Sequence, residues 1–162
     1  TSTAITLNLT DKEVLSTSIP GGTLGTAGQL RITLLGSLLN NSGANRNYTI
    51  RIKYGGNTYF GDITGNVATG TVARPFILTA TLVATGATNS SAVFGQLFIG
   101  AALAGSVAGT GDIAAVGYVS AAVSGTGTTD STAAQNFEVS ILSNSANATQ
   151  TFTRTAFSVE VL

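Results

Sequence analysis

Apolar and polar side chains alternate along most of this chain. Leu30, Ile32 and Leu34 enclose Arg31 and Thr33, and Tyr48, Ile50, Ile52 and Tyr54 enclose Thr49, Arg51 and Lys53. A period of two puts every second residue on one face, so each run predicts a β-strand with one buried side. The same alternation marks Ile5, Leu7 and Leu9; Phe76, Leu78, Ala80 and Leu82; Phe137, Val139 and Ile141; and Phe157, Val159 and Val161. Shorter strands are predicted over Val14 to Ile19 and Asn57 to Phe60. Between these runs lie turn formers. Ile19-Pro20-Gly21-Gly22 opens a loop through Gly28, Asn40-Asn41-Ser42-Gly43 reads as a turn, and Gly55-Gly56 as a two-residue hairpin. Asp62 to Gly70 and Ser143 to Ala148 are turn-rich. Pro75 stands at a strand start, where a missing N–H is tolerated.

Two stretches break the simple pattern. Ala92 to Ala102 is apolar on both parities, with Val93, Leu97 and Ile99 on one and Phe94 and Phe98 on the other. That is the pattern of a strand covered on both faces, one by the core and one by a neighbouring subunit. Gly100 to Ala134 is a low-complexity run of Ala, Gly, Ser and Thr. Its glycines oppose a helix, so Ile113 to Val123 is read as a strand of small residues suited to close backbone approach, for example around a symmetry axis. A surface loop is the alternative for Gly105 to Asp112 and for Gly125 to Ala133. The total is eight to ten short strands with a turn roughly every dozen residues, in a chain whose 162 residues suit one domain. The expected fold is all-β, an antiparallel β-sandwich of jelly-roll type. Periodicity alone leaves an immunoglobulin-like sandwich open.

Composition shapes the functional reading. Only 9% of residues are charged, against about 25% in ordinary soluble domains. Ser, Thr, Asn and Gly must therefore form much of the surface. Burying their hydroxyls and amides costs far less than burying charges, so the surface suits permanent contact with other subunits. Seven basic and seven acidic residues cancel, and the basic excess that nucleic-acid binding needs is missing. No 18-residue apolar run predicts a membrane helix. Thr1-Ser2-Thr3-Ala4 has no basic stretch followed by an apolar one, so no signal peptide is expected.

The chain has no His and no Cys. A Ser-His-Asp triad, a thiolate nucleophile and the commonest metal ligands are thereby excluded. Asp11, Glu13, Asp62, Asp112, Asp130, Glu138 and Glu160 are scattered, and no spacing recommends a catalytic pair. Asp112 and Asp130 sit in glycine-rich turns that could be imagined around calcium, but no D-x-D-x-D-G loop is present. Gly105, Gly109 and Gly111 lack the G-K-[ST] of a phosphate-cradling loop. No catalytic residue, metal site, cofactor or small-molecule substrate is expected. One charged feature stands out: Arg31, Arg51 and Lys53 project opposite the apolar faces of their strands. If those strands share a sheet, they form a basic patch that could dock an acidic partner surface; the plainer alternative is a solvated strand face. Tyr59 and Tyr118 fall at outward positions and are the aromatic candidates for stacking on a sugar.

Ser18-Ile19-Pro20-Gly21-Gly22-Thr23-Leu24-Gly25-Thr26-Ala27-Gly28-Gln29-Leu30-Arg31, then Leu39-Asn40-Asn41-Ser42-Gly43-Ala44-Asn45-Arg46 and Lys53-Tyr54-Gly55-Gly56, resemble virion structural proteins of tailed bacteriophages. The resemblance covers about residues 15 to 65 by motif. It implies a jelly-roll sandwich, usually trimeric, mounted on the outside of a phage particle, and it carries over no catalytic residue. Its relatives include capsid decoration (cement) proteins and modules of tail or head fibres. The chain lacks a coiled-coil or repetitive shaft, which favours a decoration protein: a homotrimer whose partners are its own copies and the major capsid protein or another virion protein. A receptor-binding (adsorption) fibre head is the first alternative. A fimbrial subunit is the second, in which residues 3 to 9 would complete a neighbour's sheet; pairing of that strand within its own chain would remove this option.

Overall fold

The computed structural model describes residues 4–64, 66–100 and 119–162. Ten strands are found among them: β1 (Ala4–Thr6), β2 (Lys12–Ile19), β3 (Gln29–Asn40), β4 (Tyr48–Tyr54), β5 (Asn57–Ile63), β6 (Arg74–Ala87), β7 (Ser90–Ile99), β8 (Val119–Gly127), β9 (Gln135–Ser143) and β10 (Gln150–Val161). They form two antiparallel sheets, a six-stranded one in the order β1-β10-β3-β6-β7-β8 and a four-stranded one in the order β2-β9-β4-β5. The pairings are nested. β1 pairs with β10 and β2 with β9; inside these, β3 pairs with β6 and β4 with β5, and successive pairs alternate between the sheets. A long hairpin rolled on itself gives this arrangement, so the expected jelly roll is the fold. β7 and β8 extend one sheet as a meander.

The alternation read from the sequence is what packs the sandwich. Tyr48, Ile50, Ile52 and Tyr54 of β4 are buried, as are Leu30, Ile32 and Leu34 of β3, Phe76, Leu78, Ala80 and Leu82 of β6, and Phe137, Val139 and Ile141 of β9. Phe152 and Phe76 meet edge to face, ring centroids 5.0 Å apart. Gly55 and Gly56 both have positive φ, as the tight β4–β5 hairpin requires. β1 is held by β10 of its own chain through Ala4, Ile5 and Thr6, which removes the fimbrial donor-strand option.

The low-complexity region differs from its reading in part. The strand expected over Ile113 to Val123 runs Val119–Gly127 as far as the structure describes it. Residues 113–118, the Gly105 to Asp112 segment and Tyr118 lie outside the described residues. Gly125 and Gly127, offered as loop positions, belong to β8 and allow a close approach within the chain. A Cβ on Gly125 would run into the backbone carbonyl of Tyr59, and one on Gly127 into the Tyr59 ring. β8 thus lies directly over β5, and the two sheets close on each other along that side.

A buried polar network ties the opposite end. The Tyr48 hydroxyl donates to Gln150 Oε1 (3.0 Å), which also accepts from Ser143 Oγ (2.5 Å), while Gln150 Nε2 donates to the Asn147 carbonyl (3.2 Å). Asn40 Nδ2 donates to the carbonyls of Ala44 and Val67, so the Asn40 to Arg46 motif is an anchored turn. Burial pushes the Tyr48 phenol well above the ordinary tyrosine range, and burial also raises Tyr54. The folded chain therefore keeps both phenols neutral, whereas the unfolded chain ionises them near pH 10. Their contribution is fully present below that pH and is lost as pH rises beyond it. Urea midpoints should fall steeply above about pH 10, and Tyr48→Phe should flatten part of that decline. An unchanged alkaline slope in Tyr48→Phe would show that the neutral phenol is not the source.

Candidate functional site

The two outer faces of the sandwich differ in chemistry. On the four-stranded sheet, Arg51 and Lys53 of β4 stand beside Glu138 of β9, and Asp11 forms ion pairs with both cations, its Oδ2 lying 3.4 Å from Lys53 Nζ. On the six-stranded sheet, the charged pair on the outer face is Arg31–Glu160, 3.7 Å apart at the β3–β10 margin and about half exposed. Such a pair contributes about 0–1 kcal/mol and, among the described residues, leaves the face without net charge.

The cross-strand register builds that face row by row. Ala156, Leu35, Ile77 and Phe98 lie opposite one another across β10, β3, β6 and β7, followed by a row of Ser158, Thr33, Thr79, Gln96 and Ala122. The next row is Glu160, Arg31, Thr81, Phe94 and Ser124. Leu35 is 38% exposed, Ile77 41% and Phe94 55%. The outcome is a sheet face of apolar side chains and hydroxyls, rigid because its inward neighbours are core. A β-bulge between Arg154 and Ala156 shifts the parity of β10. It turns Ala156 outward beside Leu35 and Phe157 toward the core side of an uncovered margin, where the Arg154 guanidinium sits 5.1 Å from the ring centroid.

The three cations singled out in the sequence are not brought together. Arg51 and Lys53 share a face and a carboxylate, whereas Arg31 is on the other sheet with its own. The expected joint basic patch therefore does not form, because β3 lies between β10 and β6 while β4 lies between β9 and β5. Tyr59 is not outward either: it is buried, and its hydroxyl is 2.7 Å from Ser91 Oγ. Counting through the two-residue hairpin, with Lys53 opposite Thr58, places Tyr59 on the core side, a signal that was available in the sequence. Asp130 is exposed, and its carboxylate accepts from the Thr132 amide and hydroxyl, which hold its pKa below the usual range; it shapes a turn. Asp112 lies outside the described residues. The double-sided apolar run is as expected: Val93, Leu97 and Ile99 face the core, and Phe94 and Phe98 face out.

No family model matches the chain, and no curated protein matches it. Solved structures that match include the C-terminal domain of EclA, a sugar-binding protein (11% identity, 99% of this chain and 79% of that one, TM-score 0.36). A legume lectin-like domain from Entamoeba histolytica matches at 7% identity over 98% of this chain and 83% of that one, TM-score 0.34. The CBM2 module of the evolved Dit of Lactobacillus casei BL23 phage J-1 matches at 9% identity over 79% and 67%, TM-score 0.24. The overlap is loose in each case.

Proposed function

We propose that this chain is a non-enzymatic structural protein of a phage particle that works by covering the outer face of its six-stranded sheet with other protein. The observation that carries the reading is the apolar row Leu35–Ile77–Phe98, with Phe94 beside it, on a face that bears no net charge. Exposed apolar side chains in register across neighbouring strands are the mark of a contact surface. The hydroxyls around them are cheap to desolvate. The charged outer face of the four-stranded sheet is the one suited to remain in water. The motif resemblance supplies the setting: a homotrimeric decoration protein on the outer surface of the capsid, gripping major capsid subunits. Three linked copies make individually weak grips add through effective concentration, and a protein that binds only the assembled shell stabilises it by mass action.

Mass in solution tests the surface. The native chain should run as an oligomer by light scattering. Phe94→Lys, which places an ammonium on the face without touching the core, should run as a folded monomer with an unchanged β-sheet spectrum. A native chain that is monomeric at all concentrations would remove the reading. Location is tested by labelling intact particles, and particles lacking the protein should lose integrity at a lower temperature.

A further inference from the structure

The seam where β8 closes over β5 ends in an open pocket of about 430 Å³, lined by Asn57, Thr58, Ser90, Thr126, Gly127 and Thr128. Ligand pockets usually span about 300–1,000 Å³. Every lining side chain is a neutral hydroxyl or amide, apart from Gly127, which offers backbone alone. Among the described residues, the hydroxyls of Thr58, Thr126 and Thr128 have no protein hydrogen-bond partner. They sit on a fixed base. Asn57 Nδ2 donates to Thr129 Oγ1 (3.0 Å), which donates to the Tyr54 carbonyl (2.7 Å), and the Thr129 amide donates to the buried Tyr59 hydroxyl (3.3 Å). That leaves Asn57 Oδ1 as an acceptor held in place, with hydroxyls around it that can donate or accept.

We infer that this pocket binds a neutral polyhydroxylated ligand, a sugar residue without charged substituents. A phosphate, sulfate or carboxylate would meet no counter-charge, and burying an unpaired charge is costly. A flat apolar ligand would meet no large apolar wall. A sugar offers several hydroxyls that each donate and accept, matching the lining. The pocket straddles the two sheets, with Asn57 and Thr58 on β5 and Thr126 on β8, and does not include Leu35, Ile77, Phe94 or Phe98. Sugar binding and oligomer mass are separate readouts, so either reading can fail without the other.

The test is titration of the full chain with glucose, galactose, mannose and N-acetylglucosamine at tens of millimolar, followed through backbone amide NMR shifts. Saturable shifts are expected at Asn57, Thr58 and Thr126–Thr128 with at least one of the four. Thr58→Val and Thr126→Val keep shape and strand preference while removing a hydroxyl, and each should weaken that sugar about tenfold. Sialic acid and inorganic sulfate should leave these amides unmoved. No shift with any of the four sugars, equal affinity in both valine variants, or saturation by sulfate would each overturn the inference.

Discussion

Gly125→Ala should unfold this protein or lower its stability by more than about 3 kcal/mol, a severe response for adding one methyl group. The added carbon would occupy the position of the Tyr59 carbonyl. The obstacle is backbone on a paired strand, so no side-chain rotation relieves it, and β5 and β8 must part. Parting them exposes Tyr59, breaks its contact with Ser91 and opens the seam. Gly70 is the control: no atom lies within 4 Å of a Cβ built there, and its φ is not positive, so Gly70→Ala should change stability by no more than about 0.5 kcal/mol. Thermal unfolding of the two variants side by side separates close approach from a general cost of losing glycine. If Gly125→Ala melts with the native chain, the closed seam is wrong.

Phe152→Ala should cost about 3–5 kcal/mol. Phe152 is fully buried on β10, between Ile5 of β1 and Leu38 of β3, with its ring edge to face on Phe76 and lying against Gly36. Truncation removes the ring's transfer energy and leaves a void that rigid strands on both sides cannot fill. For a domain of this size the melting temperature should drop by about 10–15 °C, and Phe152→Leu should lose roughly half as much. A loss below about 1 kcal/mol for the alanine variant would mean that β10 is not docked as described.

Much of this architecture is legible in the residues. Alternation located the inward sets of β3, β4, β6 and β9, because the period of two is a local property of the chain. It failed at the ends, where Leu9, Phe157 and Val161, read as inward, are 60%, 44% and 68% exposed and Phe152 supplies the core residue of β10 instead. Turn chemistry placed the Gly55-Gly56 hairpin and the loop after Pro20. Sheet membership is not local. Arg31, Arg51 and Lys53 look alike in sequence, and only the tertiary partners of β3 and β4 put them on opposite sides of the molecule. The Ala/Gly/Ser/Thr run was opaque for the same reason: Gly125 and Gly127 are required by Tyr59, which stands some 65 residues earlier in the chain. The outward phenylalanines of β7 were legible as a doubly apolar strand, but the row they share with Leu35 and Ile77 exists only once the cross-strand register is set.

The nesting of strand pairs also governs when the molecule can form. β1 finds its place only against β10, so residues at one end of the sequence must wait for residues near the other. Only the inner hairpin and the β6–β7–β8 meander can assemble from near neighbours. Loop closure over most of the chain is slow, and folding should take milliseconds to seconds. During synthesis β1 stays without its partner until β10 has emerged, and Ala4-Ile5-Thr6 carries no charge of its own to keep other strands off its unpaired edge.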